Sequence, residues 1–288
     1  MRDSNVANIL TGHSLIDSPE ISDEALAEIS LILKMRRSFI MSLYKDKCMK
    51  RRIAIRMRST RCHDTAAYCD LLRQSSQELD LLQKNLTIHV SQFFRNPSMF
   101  EKLQTTVLPY LFQRADARQE HLRFLSLGCA SGEETYSLGI MLRAFFAREL
   151  LNTQVEIQGF DIAEDILQTA AQAEYVEDRL KELPDSLRDR YFVQKGARFQ
   201  LTADIRDMVT LHQRNIKDVE SFEPCQLALC RNTLIYFTRP EQEKILLGIT
   251  HILPSGGILV LGKSETLVGE VRKFFATVCP AERIYRKL

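Results

Sequence analysis

The 288-residue chain has no apolar run approaching the roughly 18–20 residues that a bilayer-spanning helix needs, so membrane insertion is not expected. Its opening stretch, MRDSNVANILTGHSLIDSPE, lacks the basic start and apolar core of an export signal. Seven cysteines (Cys48, Cys62, Cys69, Cys129, Cys225, Cys230 and Cys279) form no C-x-x-C pair, and an odd count without an export signal fits reduced thiols in a cytoplasm. Charge of one sign is also missing. Thirty-nine Lys and Arg against 37 Asp and Glu leave +2, which argues against a binder of polyanions along its whole length. No internal repeat or low-complexity tract is evident, and no Ser-His-Asp or metal-ligating constellation stands out.

What remains is an ordinary globular composition, 45% hydrophobic and 26% charged, long enough for one large or two smaller domains. Residues 1–20 read as a flexible tail. Residues 21–86 read as a helical domain: SDEALAEISLILKMRRSFI opens with a Ser22 cap and first-turn acids, and AAYCDLLRQSSQELDLLQKNL repeats apolar positions at three and four residues. Between them, YKDKCMKRRIAIRMRSTR carries eight basic residues, Arg51, Arg52, Arg56 and Arg58 among them, against the single acid Asp46. Such a run is either a solvated helix face or a surface for an anionic partner. Residues 87–120 form a connector, with a helix beginning near Pro97.

From 121 to 288 the texture changes. LRFLSLG, VEIQGFD, MVTLHQRN, CQLALCRN and GGILVLG are short β-rich runs, most of them separated by helical segments. That alternation predicts an α/β domain with a doubly wound, mostly parallel sheet covered on both faces. FFATVCPAERIYRKL reads as two strands around Pro280 with no room for a helix, hence an antiparallel hairpin at a sheet edge.

In such a sheet, ligands bind beyond the carboxyl ends of the strands. The first strand runs into Gly128-Cys129-Ala130-Ser131-Gly132-Glu133-Glu134, which is neither G-x-G-x-x-G nor a phosphate-binding G-x-x-x-x-G-K-[ST] loop. Glu133 would repel a phosphate and welcome an amine or a sulfonium. The second strand ends in Asp161, which is placed to accept both hydroxyls of a ribose or to cap the helix that follows. A ribose, a positive centre and no phosphate site describe S-adenosylmethionine better than NAD or ATP. The fourth strand breaks at Arg231-Asn232, followed by Tyr236-Phe237.

These segments, in order, resemble the CheR-type chemotaxis receptor methyltransferases: TIHVSQFFR (87–95), SLGCASGEETYS (126–137), FDI (160–162), CRNTLIYF (230–237) and LPSGGILVLGKSE (253–265). The resemblance covers roughly 25–288 and implies a Rossmann-like, class I S-adenosylmethionine-dependent methyltransferase fold behind an all-helical N-terminal domain. It implies cofactor contacts at His89, Ser91, Arg95, Glu133, Asp161, Asn215, Ile216, Arg231 and Asn232, and places Arg95 and Tyr236 where the substrate carboxylate is oriented. S-adenosylhomocysteine is the implied product, and the implied substrates are glutamate side chains on the cytoplasmic helical bundle of a chemoreceptor. Against the family's pattern, His89 stands for a usual asparagine, Ser91 for threonine, Thr135 for proline and Lys263 for histidine.

The basic segment around Arg51, Arg52, Arg56 and Arg58 is expected to dock the receptor by charge complementarity. Family members that tether to a receptor's C-terminal pentapeptide do so through a small antiparallel β-insert, matched here by 190–209. That segment has only Gly196 where the tethering type has several glycines, so a peptide-pairing edge is not expected and neither is tethering. A monomer that binds no nucleic acid is expected. Two rival readings stay open: a cofactor-binding regulatory module without turnover, and a methyltransferase acting on another substrate such as nucleic acid.

Overall fold

The computed structural model describes residues 21–37, 39–86 and 91–288. Its contacts divide the chain into two units, one of residues 1–42 and 46–86, the other of residues 43–45 and 87–288. Among its described residues the first unit contains four α-helices, α1 (Asp23–Arg37), α2 (Asp46–Thr60), α3 (Thr65–Gln74) and α4 (Ser76–Leu86). Ser22 accepts the Ala25 N–H at 3.2 Å, as its cap position predicts. The 66–86 segment is two helices, because the chain turns extended at Ser75 before α4 begins. Ile29, Leu33, Met49, Ile53, Met57, Leu72, Leu79 and Leu82 form its buried interior.

Two docking assignments are corrected here. Arg52 is only 2% exposed, and its guanidinium donates to the Asn85 and Leu86 carbonyls that end α4, at 2.6 and 2.9 Å. Arg56 forks onto Glu78 at 3.0 and 2.5 Å, and Glu78 also accepts the Tyr68 hydroxyl at 2.8 Å. Both positions flank the buried Met49–Ile53–Met57 stripe, so their long side chains fold into the unit and satisfy polar groups there. Arg51 and Arg58 point to solvent.

The second unit starts with α5 (Pro97–Lys102), a five-residue π segment over Leu103–Val107, and α6 (Leu108–Arg118). The wide turn coincides with Pro109, which has no N–H to continue the helical ladder. Strands β1 (Leu122–Leu127) and β2 (Val155–Asp161) flank α7 (Glu133–Phe145) and the short α8 (Glu149–Asn152). After α9 (Glu164–Gln172) comes an insert made of β3 (Glu174–Val176), α10 (Asp185–Tyr191), β4 (Phe192–Lys195) and β5 (Arg198–Leu201). Next come α11 (Ala203–Arg206), β6 (Val209–Gln213), β7 (Leu227–Cys230), α12 (Arg239–Ile252), β8 (Ile258–Leu261), β9 (Phe275–Cys279) and β10 (Ile284–Lys287).

The main sheet has the order β6-β2-β1-β7-β8-β10-β9. Its first five strands are parallel, and β10 runs antiparallel between β8 and β9. Two apolar layers cover it: one gathers Phe124, Ile140, Leu142 and Ile157, the other Leu125, Ala228, Ile245 and Ile249. The chain leaves β1 toward β2 on one side and returns at β7 on the other, so the strand order reverses at the carboxyl end of β1. A doubly wound sheet opens a ligand crevice there.

The insert is a three-stranded antiparallel sheet in the order β3-β5-β4. The absence of a peptide-pairing edge, expected from the scarcity of glycine, is corrected. Gly196 alone supplies the positive φ of the turn, at 60°, and β4 lies at the sheet's edge with Val193 55% exposed. No helix among the described residues is long and apolar enough to cross a membrane.

Candidate active site

The crevice is built by three loops. In the first, Gly128 and Cys129 donate to the Phe160 carbonyl at 2.8 and 2.9 Å, which folds the loop after β1 against the end of β2. Gly128 has φ +80, and a Cβ there would fall 2.4 Å from the Thr233 hydroxyl, so only glycine fits. Asp161 closes the same corner. One of its oxygens accepts the Ala130 N–H and the other the Ala163 N–H, both at 3.0 Å. Arg214 donates to the Asp161 carbonyl at 3.0 Å, which brings Asn215 and Ile216 beside it. The Asn215 side chain accepts the Lys217 N–H at 3.0 Å and so caps its own turn.

Glu133 opens α7 with no exposed surface. The Ser131 hydroxyl lies 2.9 Å from both of its oxygens, Ser91 also donates to it, and Arg179 stands 3.8 Å away. Burial pushes its carboxyl above the usual range despite these donors. A buried carboxylate in that condition gains from a cationic partner. Its neighbour Glu134 is already paired: Ser126 donates to one oxygen and Arg231 to the other, each at 2.8 Å.

Arg231 therefore acts through its side chain as a brace. Beyond Glu134 it donates to the Arg95 carbonyl at 2.8 Å and to Asn96 Oδ1 at 2.7 Å, and it lies over the Phe100 ring. Phe94 N–H donates to Ser137 Oγ at 2.9 Å, and Ser137 Oγ donates to the Glu133 carbonyl at 2.6 Å. The segment carrying Ser91 and Arg95 is thus fastened to the head of α7. His89 lies outside the described residues.

The third loop depends on an acid that sequence reasoning passed over. Glu265 is 4% exposed, and its carboxylate accepts four backbone N–H groups, from Asn232 (2.9 Å), Thr233 (2.9 Å), Ile235 (3.2 Å) and Gly262 (2.7 Å). It holds Asn232 in the left-handed region at φ 57° and shapes the Leu234–Tyr236 turn. Burial raises its pKa, and the four amides oppose that shift.

Two further contributions were not foreseen. The Tyr175 hydroxyl, from β3 of the insert, donates to the Ser131 carbonyl at 2.7 Å, while Phe93 packs edge-on against Tyr175 and Phe192. And Leu43–Lys45, a strap within the otherwise helical N-terminal stretch, belongs to this unit. Lys45 N–H donates to the Tyr236 carbonyl and Thr238 N–H to the Leu43 carbonyl, each at 2.9 Å. Lys45 Nζ reaches the Ile235 carbonyl at 2.9 Å, and Tyr44 stacks on Phe237 with centroids 4.9 Å apart. Burial pushes the Tyr44 hydroxyl up to about 12, with the Asp161 charge adding to the shift. No sequence signal marks the strap. For Tyr175 the only hint is a polar residue set in an apolar stretch; Glu265 closes the LPSGGILVLGKSE segment, which by itself gives it no role.

A parallel sheet in this order, with a glycine loop after β1 and an acid after β2, defines a Rossmann-like methyltransferase. The family model for the CheR methyltransferase S-adenosylmethionine-binding domain matches residues 89–282, and that for the CheR all-alpha domain matches 24–87. The chain belongs to the CheR methyltransferase family. A chemotaxis protein methyltransferase of Listeria monocytogenes is 30% identical over 247 residues, 86% of this chain and 92% of that one. One from Borreliella burgdorferi is 31% identical over 70% of this chain and 74% of that one. An uncharacterized 104.1 kDa protein of Rhodobacter capsulatus is 32% identical over 92% of this chain, which spans only 28% of its length.

S-adenosylmethionine is accordingly the cofactor, and the site's chemistry fits it. The loop after β1 offers a buried carboxylate, Glu133, in place of a phosphate-binding lysine, and a second acid, Asp161, stands at the end of β2.

Proposed function

We propose that the protein methylates glutamate side chains of chemoreceptors, releasing S-adenosylhomocysteine and leaving glutamate methyl esters that adapt a chemotaxis-type signalling array. The observation that carries this reading is the match to a chemotaxis protein methyltransferase of Listeria monocytogenes over 92% of its length. When bound, the cofactor supplies a methyl group activated on a sulfonium centre. Glu133 faces its positive charge and Asp161 its ribose hydroxyls, while Asn215, Ile216 and the backbone at Arg231 and Asn232 line the crevice. Ser91 adds its hydroxyl beside Glu133.

A glutamate carboxylate, with a reference pKa of about 4.3, is already ionised at neutral pH, so the site needs no strong base. Its task is to hold the carboxylate oxygen in line with the methyl group. Arg95 offers a guanidinium fork suited to a carboxylate, and Tyr236 sits on a turn tied down from Glu265. Water is a poor neighbour for charges that cancel as the methyl moves, and burial around Glu133 and Asp161 helps keep it out.

Receptor docking falls to the exposed stripe of α2. Lys47, Arg51 and Arg58, four and seven residues apart on the helix, share one face with Ile55 and suit an acidic helical surface. Pentapeptide tethering is not part of this reading, which assigns docking to α2, although β4 lies open at the edge of the insert. The test is transfer of radiolabelled methyl to a recombinant chemoreceptor cytoplasmic domain, followed by mild alkali. Alkali-labile label supports a carboxyl ester. Alkali-stable label, or cofactor binding without transfer, would refute it.

A further inference from the structure

We propose that Tyr44 is a positioning residue for methyl transfer, fixing the turn that carries Tyr236. This rests on the role given above to Tyr236. The Leu234–Tyr236 turn is short, and Tyr236 itself is only partly buried. Glu265 grips the amino-terminal side of that turn through the Asn232, Thr233 and Ile235 amides. Its far side, where the carbonyls of Ile235 and Tyr236 emerge, is held by the strap: Lys45 takes both carbonyls, and Thr238 returns a bond to Leu43.

Tyr44 is the central residue of that strap and pairs with Phe237 in an isolated antiparallel bridge. Its ring stacks on Phe237 at 4.9 Å with an interplanar angle of 27°, so the turn is clamped by an aromatic face as well as by its backbone. One side chain thereby holds the turn that bears the substrate-orienting tyrosine from its carboxyl side. A shift of that ring displaces the turn, and in-line transfer is sensitive to displacements of an ångström.

Tyr44→Ala removes the clamp, and kcat at saturating cofactor should fall at least about tenfold, measured with a chemoreceptor cytoplasmic domain. Tyr44→Phe keeps the stack and should restore most of that turnover. Leu111→Ala, a buried truncation in the opposite apolar layer, controls for simple destabilisation.

The inference is overturned if Tyr44→Ala leaves kcat within about twofold of wild type, or if Tyr44→Phe loses as much turnover as Tyr44→Ala. It is equally overturned if Leu111→Ala reproduces the loss at equal folded fraction. Tyr236→Phe is measured alongside: if it does not matter, the site assignment itself falls and takes this inference with it. If it matters and Tyr44→Ala does not, only the role of Tyr44 falls.

Discussion

Replacing Arg231 by methionine tests the brace at the centre of the site. The arginine side chain is 3% exposed and its partner Glu134 14% exposed, so the pair is largely shielded from water. Methionine conserves much of the volume but removes the donors to Glu134, to the Arg95 carbonyl and to Asn96. Glu134 is then left with Ser126 alone, a nearly buried carboxylate without its counter-charge. Breaking a buried pair from one side costs about 3–5 kcal/mol, a large share of the roughly 5–15 kcal/mol that holds a domain together. Urea denaturation should show the midpoint falling with little change in slope.

Glu134→Gln in the same background removes the stranded charge and should recover at least about 1 kcal/mol, a coupling that a double-mutant cycle measures directly. Added salt should do little, because shielded pairs are weakly screened. A loss below about 1 kcal/mol for Arg231→Met, or no coupling to Glu134, would refute the brace and return the guanidinium to direct cofactor contact.

Four further outcomes follow from the same geometry. Asp161→Ala should weaken S-adenosylmethionine binding by about 1–3 kcal/mol in calorimetry, and unchanged affinity would leave Asp161 as a structural clip between two loops. Arg95→Ala should lower turnover by orders of magnitude at saturating cofactor with the fold intact, and near-normal turnover would remove its orienting role. Glu133 has a folded pKa raised above its unfolded value, so its native form holds a proton more readily. Its ionisation therefore costs stability as pH rises through the folded pKa, while cofactor affinity should fall as pH drops through that value. Glu133→Gln should accordingly raise the thermal midpoint at neutral pH while weakening cofactor binding, and a variant that binds normally contradicts the assignment. Finally, a receptor's C-terminal pentapeptide should give no measurable heat on titration, whereas Arg51→Glu should reduce receptor methylation; micromolar peptide binding unaffected by Arg51→Glu would invert that account of docking.

The sheet was legible because its strands are short apolar runs whose ends coincide with polar breaks: VEIQGFD corresponds residue for residue to β2. The hairpin around Pro280 was readable for the same reason. Glu174–Val176 was not, since three residues show no periodicity and become a strand only by pairing with β5. Composition could count the arginines of α2 but not orient them. Arg52 and Arg56 turn inward because Asn85, Leu86 and Glu78 wait on another helix, a fact local sequence does not hold. Glu133 and Asp161 stood out because a carboxylate beside a glycine turn is chemically conspicuous. Glu265 did not, because four amide partners from two separate loops cannot be seen along the chain.

The hydrogen bond from Tyr175 to Ser131 joins the insert's sheet to the cofactor loop, so the two cannot be thermodynamically independent. Whatever stabilises one arrangement of β3 stabilises the matching arrangement of the glycine loop. By linkage, a ligand that strengthens cofactor binding through this contact is itself bound more tightly, by the same factor, when the cofactor is present.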